Sequence, residues 1–312
     1  MSGGHTLVTM TDSAYIIRNY KPSDFARYSR LYQETARIEP GEHWPSPQKL
    51  REGLGYPNYS SERDLFIVET ATGIVGCMNV VSEHQIGRGI LNCLIHPEHR
   101  RQGLASKLLV HALRRAKELG AAAAQISMRQ GDSAAQNALS KLGFSLVRHF
   151  RQMKVNMADL NEHETSQASL RCCHLQSGEE ASLTKVQNRS FAGSWGYHPN
   201  TVEEITYRLG LSRCSADDVV LTNDGNRISG YCWTNITSES EGQIYMIGVD
   251  PDYQGQGIGR RVLLAGLSHL KSKGLPVAEL TVDSQNKVAC TLYESTGFKV
   301  HDDILWYEKA VS

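Results

Sequence analysis

The sequence has no long apolar run and no excess of charge of either sign. No apolar stretch approaches the length of about 18 residues that a membrane-spanning helix needs, so no span is predicted. Lysine and arginine together number 33, and so do aspartate and glutamate. No basic run is interleaved with aromatic residues, so the sequence does not predict a nucleic-acid-binding surface.

Paired cysteines are also missing. The seven cysteines include no C-x-x-C pair, and only Cys172 and Cys173 are adjacent. This pattern argues against a disulfide framework and against a zinc site, and it is typical of reduced thiols. The first residues lack a basic segment followed by an apolar one, so secretion is not predicted. We therefore expect a cytoplasmic protein with no bound metal.

With 312 residues and 40% hydrophobic content, the chain is long enough for two domains of ordinary size. Although basic and acidic residues balance over the whole chain, the two halves differ in net charge. The first 156 residues carry 20 basic against 13 acidic residues, and the remaining 156 carry 13 against 20. Attraction between the halves, an anionic ligand of the basic half, and chance drift on solvated surfaces are all open interpretations.

One glycine-rich stretch stands out, at residues 249–260. An apolar strand pattern precedes it, Pro251 ends that pattern, and Gly255, Gly257 and Gly259 follow before a helical pattern begins. A turn between a strand and a helix presents unpaired backbone N–H groups at the positive end of the helix dipole. The stretch therefore predicts an anion site, with a plain strand–helix turn as the alternative.

Two common nucleotide motifs do not fit this stretch. No Lys-Ser or Lys-Thr follows Gly259, which excludes a Walker loop. The glycine spacing is not G-x-G-x-x-G, and no acidic residue ends a strand about twenty residues later, which argues against a dinucleotide fold.

The chain repeats itself at a constant offset of 154 residues. The matched pairs are Pro97 with Pro251, Gly103 with Gly257, Ala105 with Gly259, and Gly143-Phe144 with Gly297-Phe298. A constant offset over some fifty residues indicates a tandem duplication of one α/β unit. We predict domains at residues 1–156 and 169–312, joined by a polar, aperiodic linker at residues 157–168.

Each copy shows the same predicted order: a strand, two helices, three strands, the helix after the glycine loop, a strand, a helix and closing strands. In the first copy we predict strands at 15–19, 64–69, 74–81, 89–95 and 123–128, and a last strand pair within 144–155. Its helices are predicted at 23–37, shortly after residue 46, from the glycine loop to Gly120, and at 133–142. In the second copy we predict strands at 169–174, 217–222, 227–235, 243–249 and 277–283, further strands within 298–309, and helices at 179–192, 201–209, 258–273 and 286–296.

A second motif follows the glycine loop. Asn286, Ala289 and Tyr293 are spaced i, i+3 and i+7, so they share one face of the predicted helix. Gln254, Gly257 and Gly259 match Gln/Arg-x-x-Gly-x-Gly/Ala, and residues 286–298 match N-x-x-A-x-x-x-Y-x-x-x-G-F. Together the two motifs resemble those of the GNAT acetyltransferase superfamily.

This resemblance covers both motif blocks and is weak elsewhere. It implies an α/β fold with a mixed sheet, in two tandem GNAT domains. It also implies an N-acetyltransferase that transfers acetyl from acetyl-CoA to a primary amine of a small molecule by direct attack in a ternary complex. The runner-up function is a non-catalytic protein that binds or senses acyl-CoA, and the expected state is a monomer or a homodimer.

The resemblance also assigns roles in the second copy. A bulge would open a slot for pantetheine beside Ile247, Gly248 and Val249, and Tyr293 would protonate the departing thiolate. The pyrophosphate would be held by Gln254, Gly255, Gln256, Gly257, Ile258, Gly259 and Arg260, and the pantetheine arm by Asn286, Lys287 and Ala289. A packing role for Tyr293 and a solvated charge for Arg260 remain open.

The acceptor side is less defined. We expect Glu241 to act as the general base, with Glu279 and Asp283 as alternatives, although each could be an ordinary surface charge. An aromatic loop suggests acceptor contacts from Trp195, Tyr197 and His198. Family members with a tandem layout have a substrate-binding glutamate where this chain has Gln243, so a charge-assisted contact to an ammonium is missing.

The first copy retains the glycine-loop motif but lacks the two residues expected to act on the thioester and the pantetheine arm. The resemblance implies coenzyme contacts from its strand end and loop, at Cys93, Leu94, Ile95, Arg100, Arg101, Gln102, Gly103, Leu104 and Ala105. At the positions of Tyr293 and Asn286, however, this copy has Leu139 and Asp132. We therefore expect it to lack turnover, and either coenzyme binding or a purely structural role is open.

Overall fold

The computed structural model describes residues 9–10, 15–39 and 44–311, and the chain divides into two compact units. The first unit comprises Met1–Met128, Asp132–Val147 and Trp306–Ser312. The second unit comprises Arg129–Gly131 and Arg148–Leu305. Among the described helices, none is both long and apolar enough to cross a membrane.

The first half of the chain contains β1 (Thr9–Met10), β2 (Ile16–Asn19), α1 (Phe25–Ile38), α2 (Pro47–Leu54), α3 (Ser61–Asp64), β3 (Leu65–Glu69), β4 (Ile74–Glu83), β5 (Arg88–Ile95), α4 (Leu104–Glu118), β6 (Ala123–Arg129), α5 (Ser133–Lys141) and β7 (Ser145–Asn156). The second half contains α6 (Glu162–Ser169), β8 (Cys173–His174), α7 (Glu180–Ser190), α8 (Val202–Leu209), β9 (Val219–Asp224), β10 (Arg227–Ile236), β11 (Glu241–Val249), α9 (Ile258–Ser272), β12 (Val277–Asp283), α10 (Lys287–Ser295) and β13 (Lys299–Ala310). Short 3-10 turns connect several of these elements.

In the first unit the strands lie in the order β1 to β6, with the end of β13 next to β6. Neighbours from β1 to β5 are antiparallel, but β5 and β6 are parallel. This parallel pairing extends only from Arg88 to Ile90, so the two strands separate beyond Ile90.

The second unit has the matching arrangement, in the order β7, β12, β11, β10, β9, β8. Its β11 and β12 are parallel neighbours only from Glu241 to Gln243, which pair with Val277 to Glu279. From Ile244 to Val249, β11 makes no ladder with β12. The predicted mixed sheet and the predicted slot between these strands are therefore both present.

A bulge interrupts β11 and has no equivalent in β5. Trp233 pairs with Met246 and Thr234 pairs with Ile244, so Tyr245 lies opposite no residue of β10. Such a bulge bends and twists a strand locally. In the first unit, β4 and β5 pair without a register shift along their whole length. The two units therefore differ at the strand that borders the slot.

The compact units do not follow the predicted domain boundaries. Strand β7 lies entirely within the first copy, yet from Arg148 onward it belongs to the second unit, where Phe150 to Asn156 pair with β12. The end of β13 comes from the second copy but belongs to the first unit, where the Gln125 side chain donates to Glu308 at 2.7 Å. Each copy therefore supplies a strand segment to the other unit, which a boundary at residue 156 does not describe.

The stretch predicted as an aperiodic linker, residues 157–168, is mostly helical, and the strand predicted at 169–174 is present only at Cys173–His174. Helix α6 occupies most of this stretch, and Asn161 caps it by accepting from the N–H groups of His163 and Glu164. Glu162 also pairs with Lys271 of α9 at 2.7 Å. A cap and contacts with a distant helix stabilise a segment whose own periodicity is weak.

Candidate active site

The glycine loop of the second unit has the backbone that an anion site needs. Gly255 and Gly257 both have φ of +76°, and Gly257 is the N-cap of α9, which begins at Ile258. A Cβ at either glycine would meet no atom within 4 Å, so the left-handed backbone, not lack of space, requires glycine there. Gln256 is exposed, and the first N–H groups of α9 have no partner within the helix.

The first residue of the loop motif fastens the loop to the strand before it. The Gln254 side chain donates to the carbonyl of Val249 at 3.3 Å. In the first unit, Arg100 donates to the carbonyl of Ile95 at 3.1 Å, which is the equivalent bond. Both glutamine and arginine have a side-chain N–H that can donate to this carbonyl, which accounts for the occurrence of either residue at the first position of the motif. A contact with pyrophosphate would be additional to this bond.

Two other loop residues contribute packing as well as backbone donors. Ile258 is buried and packs against Gly230. A Cβ at Gly230 would lie only 2.5 Å from the Ile258 side chain. Gly259 faces Leu292 of α10 and Val249, each 3.6 Å from its ideal Cβ position. A methyl group at this position would therefore make ordinary contacts with α10 and β11, which is consistent with glycine or alanine in the motif.

The strand that borders the slot, β11, packs closely against its other neighbours at Gly248. Ile247, Gly248 and Val249 lie in the part of the strand that has separated from β12. A Cβ at Gly248 would lie 2.8 Å from the Tyr231 ring and 2.8 Å from Ser190. Glycine is therefore required here by close approach, and any larger residue would displace β11 from α7.

Tyr293 lies in α10 and is 7% exposed, within the apolar cluster that includes Ile244 and Cys232. Its ring packs edge-on against Phe298, with ring centroids 5.9 Å apart. Burial raises the pKa of Tyr293 far above its ordinary value, so the hydroxyl is protonated at physiological pH. Tyr293 therefore combines the packing role with a hydroxyl that remains a donor.

Asn286 caps the same helix. Its side-chain oxygen accepts from the N–H of Ala289 at 3.1 Å, while its side chain as a whole is exposed. In the first unit, Asp132 caps α5 in the same way, accepting from Ala135 at 2.9 Å. Asp132 thus preserves the cap but has no amide N–H to offer a ligand. Lys287, also exposed, donates to the carbonyl of Ser284 at 3.0 Å.

Arg260 is engaged outside the loop. Its guanidinium lies 2.7 Å from Glu164 of α6 and 3.5 Å from the Thr296 hydroxyl. An ion pair at this exposure is weak, so it does not exclude a phosphate contact. A phosphate contact for Arg260 remains a prediction.

The three carboxylates considered as general bases all have partners. Glu241, which remains a prediction as the base, lies where β11 and β12 are still paired and accepts from Lys154 at 2.6 Å. Six residues separate it from Ile247, roughly 20 Å along a strand. Glu279 is buried and accepts from Gln152 at 3.1 Å. Asp283 binds Arg148 at 2.7 Å.

The predicted acceptor residues lie in one segment and one strand. Tyr197 stacks on Phe191, with centroids 5.1 Å apart, and its hydroxyl donates to Asn188 at 2.7 Å. Trp195 packs near Phe150 of β7, and His198 is half-buried in the same segment. Gln243 is half-buried at the last paired position of β11 and β12. Tyr197 and Trp195 of the aromatic segment therefore both have packing partners, and their role toward an acceptor remains a prediction.

Sequence reasoning missed the ion network under the loop. Asp250 is 2% exposed and accepts from Arg189 at 2.9 Å and from Arg227 at 2.8 Å. Burial opposes ionisation, but these hydrogen bonds outweigh it and hold the pKa of Asp250 at about 2. The sequence signal was the Asp-Pro pair, which we interpreted only as the end of a strand. The network connects α7, β10 and the start of the glycine loop.

The first unit contains a cavity of about 510 Å³ at the equivalent cleft. It is lined by eight of the residues predicted to contact coenzyme, namely Cys93, Leu94, Ile95, Arg100, Arg101, Gly103, Leu104 and Ala105, whereas Gln102 does not line it. Asp132 and Leu139 also line it. Gly103 has φ of +71° and caps α4, so the loop backbone is retained.

Comparisons with known proteins agree with this geometry. The model of the acetyltransferase (GNAT) family matches residues 181–298, and that of the acetyltransferase (GNAT) domain matches residues 15–145. The mycothiol acetyltransferase of Actinosynnema mirum is 32% identical over 219 residues, which covers 68% of this chain and 72% of that protein. The chain belongs to the GNAT acetyltransferase family. The mycothiol acetyltransferase of Streptomyces coelicolor is 29% identical over 288 residues, or 89% of each chain.

Solved structures share the fold of this GNAT acetyltransferase. A GCN5-related N-acetyltransferase from Sphaerobacter thermophilus has a TM-score of 0.74 at 19% identity and covers 97% of each chain. A tandem GNAT protein from the clavulanic acid biosynthesis pathway has a TM-score of 0.72 at 12% identity, over 96% of this chain and 98% of that one. The predicted fold, two GNAT domains with a mixed sheet, is confirmed. The protein is an N-acetyltransferase that uses acetyl-CoA.

Proposed function

We propose that the second unit carries out the transfer, with direct attack of a primary amine on the acetyl group in a ternary complex. One contrast supports this assignment above all. The second unit has a bulged β11 beside the slot and Tyr293 on the helix that follows. The first unit has an unbroken β5 register and Leu139 at the equivalent position.

The residues of the second unit fit acetyl-CoA. The left-handed backbone at Gly255 and Gly257 turns N–H groups outward, where they would hold the pyrophosphate. The separated segment from Ile244 to Val249 offers unpaired backbone groups to the pantetheine arm, and the Asn286 amide adds a side-chain donor. Acetyl-CoA supplies the acetyl group as a thioester.

The proton for the leaving sulfur comes from Tyr293 in this proposal. Its hydroxyl is held in the neutral form by burial, which is the state that a general acid needs. Backbone N–H groups of β11 that face the slot would polarise the thioester carbonyl. The three carboxylates examined as bases all have partners, so we propose that the amine loses its proton to solvent.

The acceptor is proposed to be an amine related to the substrate of the mycothiol acetyltransferases. The similarity over 89% of both chains supports this relationship. Gln243 replaces the expected glutamate and contributes an uncharged amide, so the acceptor should depend less on an ammonium contact at this position. A screen of acetyl-CoA with amines, amino-sugar conjugates and peptides, read as thiol release, tests this proposal.

The retained loop of the first unit favours a second function for that unit. Arg101 has φ of +61°, a strained conformation for a residue with a side chain. Strain of this kind persists where the backbone is needed, which supports coenzyme binding without turnover. Counting bound CoA per chain tests both units at once: two sites support the proposal, and a single site removed by a Gly257 substitution would exclude the first unit.

A further inference from the structure

Helix α6 is connected to α9 by two ion pairs of equal length. Glu164 lies 2.7 Å from the guanidinium of Arg260, and Glu162 lies 2.7 Å from the ammonium of Lys271. Arg260 is the third residue of α9 and follows the glycine loop, whereas Lys271 belongs to the last turn of the helix. Eleven residues separate the two basic side chains, roughly 16 Å along a helix. Only the pair with Arg260 therefore lies close to the glycine loop.

Position 260 corresponds to a lining position of the coenzyme cleft in the first unit. The residue 154 positions earlier is Ser106, which lines the cavity at the equivalent cleft. Helical side chains also lean towards the N-terminus of their own helix, which for Arg260 means towards the glycine loop. The guanidinium of Arg260 is therefore well placed for a charge-assisted hydrogen bond to a pyrophosphate bound at the loop.

Glu164 is positioned for its contact by the cap of α6. The side-chain oxygen of Asn161 accepts from the backbone N–H of Glu164 at 3.2 Å, which fixes Glu164 in the first turn of the helix. The side chains of Glu164 and Arg260 are 45% and 41% exposed, so a ligand can reach both. An ion pair of this exposure contributes little to stability, and a phosphate can replace the carboxylate at small cost.

A carboxylate and a pyrophosphate would use the same N–H groups of Arg260. Both accept charge-assisted hydrogen bonds from a guanidinium, and two anions on one guanidinium repel each other. The carboxylate of Glu164 therefore has to leave Arg260 before the pyrophosphate can take its place. The other contact of Arg260, with the Thr296 hydroxyl at 3.5 Å, is uncharged and does not compete with the phosphate.

We infer that Glu164 sets the coenzyme affinity of the second unit by competing with the pyrophosphate for Arg260. This inference rests on the proposed placement of the coenzyme at the glycine loop. When the coenzyme binds, the guanidinium turns from Glu164 to the pyrophosphate, and the carboxylate returns to solvent. When CoA leaves, Glu164 pairs with Arg260 again, which favours product release after each transfer. The first unit lacks this competition, because it has Ser106 instead of an arginine.

The test is isothermal titration of the full-length protein with CoA, for the parent, Glu164→Gln, Arg260→Gln and the double variant. Both residues belong to the second unit, so a change in the titration reports on the site of that unit. Glu164→Gln should lower the Kd for CoA about threefold, the scale of an exposed ion pair. Arg260→Gln should raise it about fivefold, and adding Glu164→Gln should then have no further effect, because both act through one contact.

Glu162→Gln is the matched control, because it breaks the second pair between the same two helices, far from the loop. Thermal unfolding should give similar midpoints for Glu162→Gln and Glu164→Gln, whereas only Glu164→Gln should change the affinity for CoA. The inference is overturned by parent affinity in either Glu164→Gln or Arg260→Gln, by an equal gain in Glu162→Gln, or by an undiminished gain when Glu164→Gln is added to Arg260→Gln.

Dephospho-CoA keeps the pyrophosphate and lacks the 3′-phosphate, so it identifies the phosphate that Arg260 binds. The threefold gain of Glu164→Gln should persist with this probe, and a gain seen only with CoA would overturn the assignment to the pyrophosphate. Failure of the proposed coenzyme site has a different signature. It would leave Gly257→Ala with parent affinity for CoA, although that substitution alters neither Arg260 nor Glu164.

Discussion

Arg101 and Gly255 occupy the same position in the two glycine loops, 154 residues apart, and both have a positive φ, +61° and +76° respectively. Glycine adopts this conformation freely, whereas a residue with a Cβ pays roughly 1–2 kcal/mol. The first unit therefore retains the loop backbone with a residue that disfavours it. Because both units retain the loop backbone, a glycine of the loop can be substituted in each unit and the two effects compared.

The paired substitutions Gly257→Ala and Gly103→Ala separate coenzyme binding from turnover. Each places a Cβ at a left-handed N-cap, with an expected cost of about 1–2 kcal/mol to the loop conformation. Gly257→Ala should raise the KM for acetyl-CoA about tenfold. Gly103→Ala should leave steady-state turnover unchanged and weaken only the coenzyme site of the first unit.

Isothermal titration with CoA, combined with steady-state kinetics, measures both effects. If Gly103→Ala lowered turnover and Gly257→Ala did not, the assignment of the reaction to the second unit would be reversed. Equal coenzyme affinity in the parent and both variants would remove the loops from the binding site.

Tyr293→Phe should abolish the general acid while preserving the core. The ring packs on Phe298, and phenylalanine retains that contact. We expect kcat to fall about 100-fold or more, with little change in the KM for acetyl-CoA. Tyr307→Phe, at a buried tyrosine of the first unit, is the matched control and should have parent activity. A Tyr293→Phe enzyme with parent kcat would exclude the acid role.

The pH profile offers an independent test of the same residue. Burial raises the pKa of Tyr293, and its neutral form is the active acid, so this form persists through the alkaline range. We expect kcat/KM to rise with pH as the acceptor amine deprotonates and to show no fall up to about pH 10. A decline near pH 8–9 in the parent that disappears in Tyr293→Phe would show that the hydroxyl titrates far lower than its burial implies.

Much of the fold could be predicted from the repeat and the two motifs, because local spacing determines them. The positive φ at Gly257 and the helix that begins at Ile258 followed from glycine placement and periodicity. The separation of β11 from β12 came only with the family resemblance. Helix α6 was missed because its apolar periodicity is weak and part of its stability comes from contacts with α9, although the Asn161 cap was a local signal that we did not use.

Sequence reasoning predicted the site features that depend on backbone geometry better than those that depend on which side chains pair with one another. Glu241 has a plausible position in the sequence, yet its pair with Lys154 depends on β7 lying beside β12 in the second unit. The network around Asp250 likewise joins residues from three elements. Long-range ion pairs of this kind require the tertiary structure.

Asn286 has two separable functions, and two substitutions distinguish them. Asn286→Asp keeps an oxygen to cap α10, as Asp132 does for α5, but removes the amide donor and adds a negative charge. We expect an unchanged Tm and a KM for acetyl-CoA raised about tenfold. Asn286→Ala should show the same loss of affinity and also lower stability by about 1 kcal/mol. An Asn286→Asp enzyme with parent KM would remove the amide from the coenzyme site.

Asp250→Asn should destabilise the second unit in a pH-dependent way. Its folded pKa of about 2 lies below the ordinary value of 3.8, so the ionised form is stabilised by folding. This stabilisation is fully present above about pH 4 and is lost as the pH falls towards 2. Because Arg189 and Arg227 are 39% and 44% exposed, screening reduces its magnitude, and we expect a cost of about 1–2 kcal/mol at neutral pH.

Asp252→Asn is the matched control for this prediction, since Asp252 contacts the same two arginines but is 57% exposed. Its expected cost is below about 0.5 kcal/mol, because exposed ion pairs contribute little. Urea unfolding of both variants and the parent at pH 7 and at about pH 3 measures the difference. The gap between the parent and Asp250→Asn should narrow at the lower pH, since the parent carboxylate is then losing its charge. A gap that stays constant with pH would mean that the buried network acts through packing instead of charge.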